Sequence, residues 1–148
     1  MVRSWASAWF EGIAEQIIFE RDARLGGITF DRELLSDPSG LAYRFAIDVP
    51  VHDHRRIAQA VFKDPPPAVR VWIDGAVCLR HRWPDSSLCM WFETDPVEQR
   101  WTPEDGLLAL AVQVEQHAYC EAECRAGNPW PKSESPGTHP RPANCPCC

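Results

Sequence analysis

Between Gly75 and Thr102 no hydrophobic period holds, and this long interruption constrains the fold more than any other feature of the chain. An aperiodic segment of that length inside a compact domain signals either function or disorder. It contains Trp83, Trp91, Trp101, Cys78, Cys89 and His81. That composition argues against disorder, because aromatic and apolar side chains gain by burial. An ordered functional loop is therefore expected, with different structural rules on either side of it.

On its N-terminal side the pattern is mostly that of strands. Tyr43, Phe45, Ile47 and Val49 alternate with Arg44, Ala46 and Asp48, as in a half-buried strand. Residues 28–35 read as a shorter strand, with a turn at Asp37-Pro38-Ser39-Gly40. His52-Asp53-His54-Arg55-Arg56 reads as a polar loop, and residues 57–62 as a third strand. Pro65-Pro66-Pro67 cannot lie inside a helix or a central strand, so it predicts a rigid connector. After it Val69, Val71 and Ile73 alternate with Arg70, Trp72 and Asp74, a fourth strand ending at Asp74-Gly75. Ahead of all four, Trp5, Trp9, Ile13 and Ile17 recur every four residues, with Phe10 and Ala14 beside them. This predicts an amphipathic helix that closes at Gly26-Gly27.

On the C-terminal side a helix is well signalled. Thr102 is a good N-cap, Pro103 suits the first helical position, and Glu104 and Asp105 complement the positive end of the helix dipole. Leu107, Leu110, Ala111, Val114 and Ala118 mark a buried stripe, and the helix is expected to reach about Arg125 and stop at Gly127. Residues 128–148 are rich in proline and polar residues and read as an extended tail. The expectation is one α+β domain over residues 1–127, with helices packed on a four-stranded antiparallel meander, followed by a tail.

Charge and cysteine usage narrow the function class. A net charge of −6 disfavours nucleic acid and anionic membrane as partners. No apolar run approaches the ~18–20 residues needed to cross a bilayer. Glu11 and Glu15 interrupt the N-terminus before a secretory signal forms, so neither membrane insertion nor secretion is expected. Seven cysteines cannot all pair internally, and their spacing is not that of a disulfide scaffold, which fits a reducing cytoplasm.

Cys89 is the candidate nucleophile. A thiol becomes reactive when a cation, a histidine or a helix N-terminus favours its thiolate, and Cys89 follows His81 and Arg82 inside the ordered loop. Read from spacing alone, a small buried residue between Leu88 and Met90 is an equally good account. The run His81-Arg82-Trp83-Pro84-Asp85-Ser86-Ser87-Leu88-Cys89-Met90-Trp91 carries a more specific signal, together with Pro65-Pro66-Pro67 before it and Trp101-Thr102-Pro103-Glu104-Asp105-Gly106 after it. With Trp130-Pro131 and the segment from Glu134 to His139, it resembles the stand-alone conjugating-enzyme domain of bacterial type II CBASS antiphage systems. The resemblance spans roughly Leu41 to His139.

That resemblance implies a ubiquitin-conjugating-enzyme-like (UBC/RWD) fold with the cysteine on a long loop between sheet and helix. It implies a transferase that takes the C-terminal glycine of a protein partner, a cGAS-like nucleotidyltransferase (CD-NTase), onto Cys89 as a thioester. The acyl group then passes to an amine of an acceptor protein, without a cofactor or a metal. The chain carries no Gly-rich nucleotide loop, so the glycine carboxylate must be activated by another protein or arrive activated. The sequence departs from the His-Pro-Asn element of eukaryotic conjugating enzymes. His81 stands eight residues before Cys89, closer than that element, and Arg82-Trp83 replace Pro-Asn. Oxyanion stabilisation is therefore expected from backbone N–H groups near residues 86–89. His81 either orders the loop by a hydrogen bond or acts on a proton. Asp85 either orients an attacking amine or is a turn residue. Trp83 and Trp91 are expected to shape a groove for an extended C-terminal peptide, and Trp72 to face a partner.

An alternative is a non-catalytic interaction module of the same fold, with Cys120 and Cys124 at i, i+4 joining Cys145, Cys147 and Cys148 in a zinc site. A redox-sensing thiol, with Cys78 as partner to Cys89, is a third reading. His52 and His54 could chelate a metal if they lay on a strand, although a solvated loop is the expectation. His117 reads as an ordinary helix residue, and His139 as one that packs near the active loop.

Overall fold

Alternating apolar residues build a four-stranded antiparallel sheet in the computed structural model, which describes residues 12–35, 40–52, 54–63, 69–76, 81–92 and 95–131. The strands are β1 (Phe30–Leu34), β2 (Gly40–Val49), β3 (His54–Lys63) and β4 (Val69–Ile73), in spatial order β1-β2-β3-β4. Tyr43 pairs with Arg32 on one side and Ala60 on the other, while Val71 pairs with Ala60. That register puts Tyr43, Phe45, Ile47, Ala58, Ala60, Phe62, Val71 and Ile73 on one buried face. A one-residue slip would turn all of them outward, so burial itself fixes the register.

Two helices cover this face: α1 (Ile13–Leu25) and α2 (Gly106–Arg125). Leu107, Leu110, Ala111, Val114 and Ala118 of α2 are all at most 1% exposed, as the stripe requires. The helix leaves the 3-10 turn Pro103–Asp105 through Gly106, at φ 84, and stops before Gly127, at φ 89. The capping residues therefore close a 3-10 turn rather than the first turn of α2. Asp105 Oδ2 accepts from Thr102 N at 2.8 Å and from Thr102 Oγ1 at 3.3 Å. Asp105→Ala removes this acceptor and both bonds and should cost about 1 kcal/mol, read as a lower urea midpoint at unchanged m-value.

Helix α1 departs from the expected face. Trp5, Trp9 and Phe10 lie outside the described residues, while Ile13 and Ile17 are 71% and 59% exposed. The buried face is instead Gln16, Phe19, Glu20 and Ala23. Phe19 stacks edge-on against Phe62 and Trp101. Glu20 accepts from Tyr43 Oη at 2.8 Å and from Arg32 Nη1 at 2.7 Å. A satisfied carboxylate has displaced an apolar residue from the core-facing row.

The predicted polar loop at residues 52–56 is also corrected. His54, Arg55 and Arg56 belong to β3, because Arg56 points inward and donates from Nε to the carbonyl of Asp74 at 2.6 Å. His52 precedes the strand, and its Nε2 lies 2.7 Å from Glu123 Oε1 of α2. The turn at residues 36–39, the connector Pro65-Pro66-Pro67, Cys78, His139, Cys145, Cys147 and Cys148 lie outside the described residues. No helix among the described residues is long and apolar enough to cross a membrane.

Candidate active site

The segment from His81 to Cys89 closes on itself by main-chain hydrogen bonds. Cys89 N donates to His81 O, and Trp83 N to Ser87 O, both at 2.8 Å; Arg82 and Leu88 form an isolated antiparallel bridge. Inside this ring Ser86 N donates to Trp83 O at 2.8 Å. His81 and Ser86 both have left-handed backbones, at φ 58 and φ 70. Such conformations are unfavourable for residues with a Cβ and persist only where the surroundings impose them.

Three anchors impose this one. Leu88 N donates to Val71 O at 2.8 Å, tying the loop to β4, the edge strand. Trp72 Nε1 donates to Asp85 O at 3.0 Å on the outer face of the same strand. The strongest is Arg82, whose Nε and Nη2 grip Glu121 of α2 at 2.6 and 2.9 Å while Nη1 donates to Ser86 O at 2.7 Å. Both side chains are buried, so the pair is a forked, charge-assisted contact shielded from water.

Glu121 is the centre of a wider cluster. His117 Nε2 lies 3.4 Å and Arg125 Nη1 3.8 Å from its oxygens. Arg56 also feels its charge. Burial is the largest influence on Glu121 and works against ionisation. Hydrogen bonds from Arg82 and His117, with their charges, outweigh it and hold the carboxyl below the usual range. His117 is therefore a buried member of this cluster rather than an ordinary helix residue. Burial lowers the pKa of Arg56.

Cys89 is 8% exposed and lies at the exit of the closed ring. Burial pushes its thiol up to about 11; the charge of Arg70 opposes that shift and that of Asp95 adds to it. The thiol is thus protonated at neutral pH. His81 contributes its carbonyl to the Cys89 amide, and its ring lies against Trp130, 4.2 Å between centroids. Asp85 turns its carboxylate back into the loop, where Oδ1 accepts from Ser87 N at 2.9 Å and Ser87 Oγ at 2.5 Å. The Ser87 hydroxyl bond is the chief cause of its lowered pKa. Geometry therefore gives His81 and Asp85 loop-ordering contacts.

One expectation fails outright. The amides of residues 86–89 donate to Trp83 O, Asp85 Oδ1, Val71 O and His81 O in turn, so they are not available to an oxyanion. The loop needs those donors to hold its left-handed turns. The charge of Arg70 acts directly on the thiol instead.

Residues of β3 and β4 border a groove of about 680 Å³, which Leu88 and Met90 line on either side of Cys89. Trp72, Trp83, Met90, Trp91 and Phe92 line it. The Arg70 guanidinium sits over the Trp83 ring, 4.8 Å from its centroid, a cation–π contact that aims this residue into the groove.

Arg70, Glu121 and Trp130 were not foreseen as parts of the site. Arg70 alternates with the inward residues of β4, which marks it as outward-facing. Glu121 continues the buried stripe of α2 three residues past Ala118, and a carboxylate at such a position requires a buried partner. Trp130 falls in the segment read as a tail. Cys120 and Cys124 are both buried in α2. Among the described residues no three His, Cys, Asp or Glu side chains gather in a metal-holding group. Compared with known proteins, the chain matches no family, no curated protein and no solved structure.

Proposed function

We propose that the chain is a cysteine-dependent acyl carrier of the ubiquitin-conjugating type, with Cys89 as the acceptor. The observation that carries the reading is the placement of Cys89: a thiol at the exit of an anchored loop, between Leu88 and Met90 of an aromatic groove, with the charge of Arg70 acting on it. The resemblance around residues 81–91 supports the same reading, including a UBC-like fold, a CD-NTase C-terminal glycine as the acyl group, and a role in antiphage defence.

Cys89 Sγ loses its proton and attacks the carbonyl carbon of an already activated glycine; the activating group leaves, and a thioester remains. An amine then attacks the same carbon, an amide forms, and the sulfur departs and regains a proton. Arg70 is the group placed to stabilise the negative charge that develops in both steps. His81 and Asp85 hold the loop in the shape that presents the thiol.

The test is adduct formation with a protein ending in glycine, supplied with its activating enzyme. Cys89→Ala should abolish a reductant-labile adduct, and Cys89→Lys should trap a reductant-resistant one. An adduct that persists in Cys89→Ala would overturn the reading. The burial of the thiol and its raised pKa favour a second account, a non-catalytic module that uses the same groove only to bind. On that account Cys89→Ala leaves partner binding and biological output intact.

A further inference from the structure

The charge of the groove runs against that of the chain. The protein carries a net −6, yet among the described residues Lys63, Arg70 and Arg100 line the groove against one carboxylate, Asp85. Asp85 is spent on its own loop through Ser87. Asp95, the acid whose charge acts on Cys89, accepts from Phe92 N at 2.8 Å. Arg100 is partly buried, and among the described residues its Nε has no hydrogen-bond acceptor. Register brings two of the cations together: Val61 pairs with Arg70, and Lys63 lies two residues further along β3 on the same outer face. The groove therefore combines cations with aromatic rings, and Arg70 joins the two by lying over Trp83.

We propose that this groove binds an extended peptide bearing acidic side chains, the segment that precedes the acyl group accepted by Cys89. The inference rests on the reading of Cys89 as acyl acceptor and names the chemistry of its donor. Apolar side chains of the peptide would pack on the tryptophans, and its carboxylates would meet Lys63 and Arg100. A charge pattern of this kind selects among partners chiefly by excluding basic ones. A nucleic acid strand could also use cations and aromatic rings, but three cations on a chain of net −6 suit a short acidic segment better than a long polyanion.

The experiment uses the full chain with Cys89→Ala, which separates binding from chemistry. Two nine-residue peptides ending in glycine, alike except for glutamate or lysine at three positions, are titrated by fluorescence anisotropy; a single-stranded oligonucleotide is titrated beside them. The acidic peptide should bind at least about tenfold more tightly at low salt, with the advantage shrinking as salt screens it. Lys63→Glu together with Arg100→Glu should reverse the preference. If Arg100→Glu disturbs the far-UV circular dichroism, Lys63→Glu alone, on an exposed strand position, should still narrow the ratio several-fold. Equal binding of the two peptides, a ratio indifferent to charge reversal, or tighter binding of the oligonucleotide would each overturn the proposal. Adduct formation on wild-type Cys89 is scored separately. Acidic-peptide binding without an adduct would refute acyl transfer alone, whereas an adduct with charge-indifferent binding would refute the acidic groove alone.

Discussion

Replacing Glu121 by leucine should destabilise the protein by about 3–5 kcal/mol, the range for removing one partner of a buried ion pair. The effect should exceed that of Arg82→Met. Glu121 is the carboxylate shared by Arg82, Arg125 and His117, and its charge also reaches Arg56, so its loss leaves these cations without their common counter-charge. Arg56 Nη1 already lacks an acceptor among the described residues and would gain nothing in exchange. Loss of Arg82 strands a single carboxylate that still has His117 and Arg125 beside it. Urea unfolding of the two single variants and the double variant gives the coupling: the double should cost less than the sum of the singles. A change below about 1 kcal/mol for Glu121→Leu would show the cluster to be solvated.

The pH dependence has a definite sign. Hydrogen bonds and cations hold the Glu121 carboxyl below its unfolded value. Its contribution is therefore complete above the unfolded pKa of about 4.3 and is lost as pH falls through the folded one. The stability gap between the wild type and Glu121→Gln should narrow as pH drops below about 4.

The second large effect concerns Cys89. With its thiol pushed up to about 11, its alkylation by iodoacetamide should rise about tenfold per pH unit between pH 7 and 10, a hundredfold over the first two units. Peptide mapping by mass spectrometry isolates it from the other cysteines. At pH 7 only about one molecule in ten thousand carries the thiolate. Relative to a thiol at 9.0, that is about a hundredfold less thiolate, partly offset by the stronger nucleophilicity of a more basic sulfur; the net rate should be about tenfold lower. Arg70→Gln should shift the whole profile to higher pH, because Arg70 is the group that opposes the rise. A plateau near pH 8 would contradict the burial of the thiol. A basic thiolate is also a reluctant leaving group, so discharge to an amine depends more than charging on a charge such as that of Arg70.

The same features explain what could be read in advance. Strand alternation in residues 43–49 and 69–73 and the apolar stripe of α2 emerged as written in the pattern, because local periodicity and burial on one face demand the same arrangement. The face of α1 could not be read that way. Its apolar residues recur every four positions, yet the sheet offered a tyrosine hydroxyl and an arginine, and a buried glutamate answered them.

The loop makes the division plainest. Its existence, its order and the candidacy of Cys89 follow from composition and spacing along the chain, which are properties of neighbouring residues. Its shape does not. Arg82 reaches across 39 positions to Glu121, and Leu88 bonds to Val71 on the sheet edge. Those distant contacts hold the loop in the shape in which its amides are spent, the thiol is buried and Arg70 acts on it, since desolvation and charge depend on what lies near in space rather than in sequence.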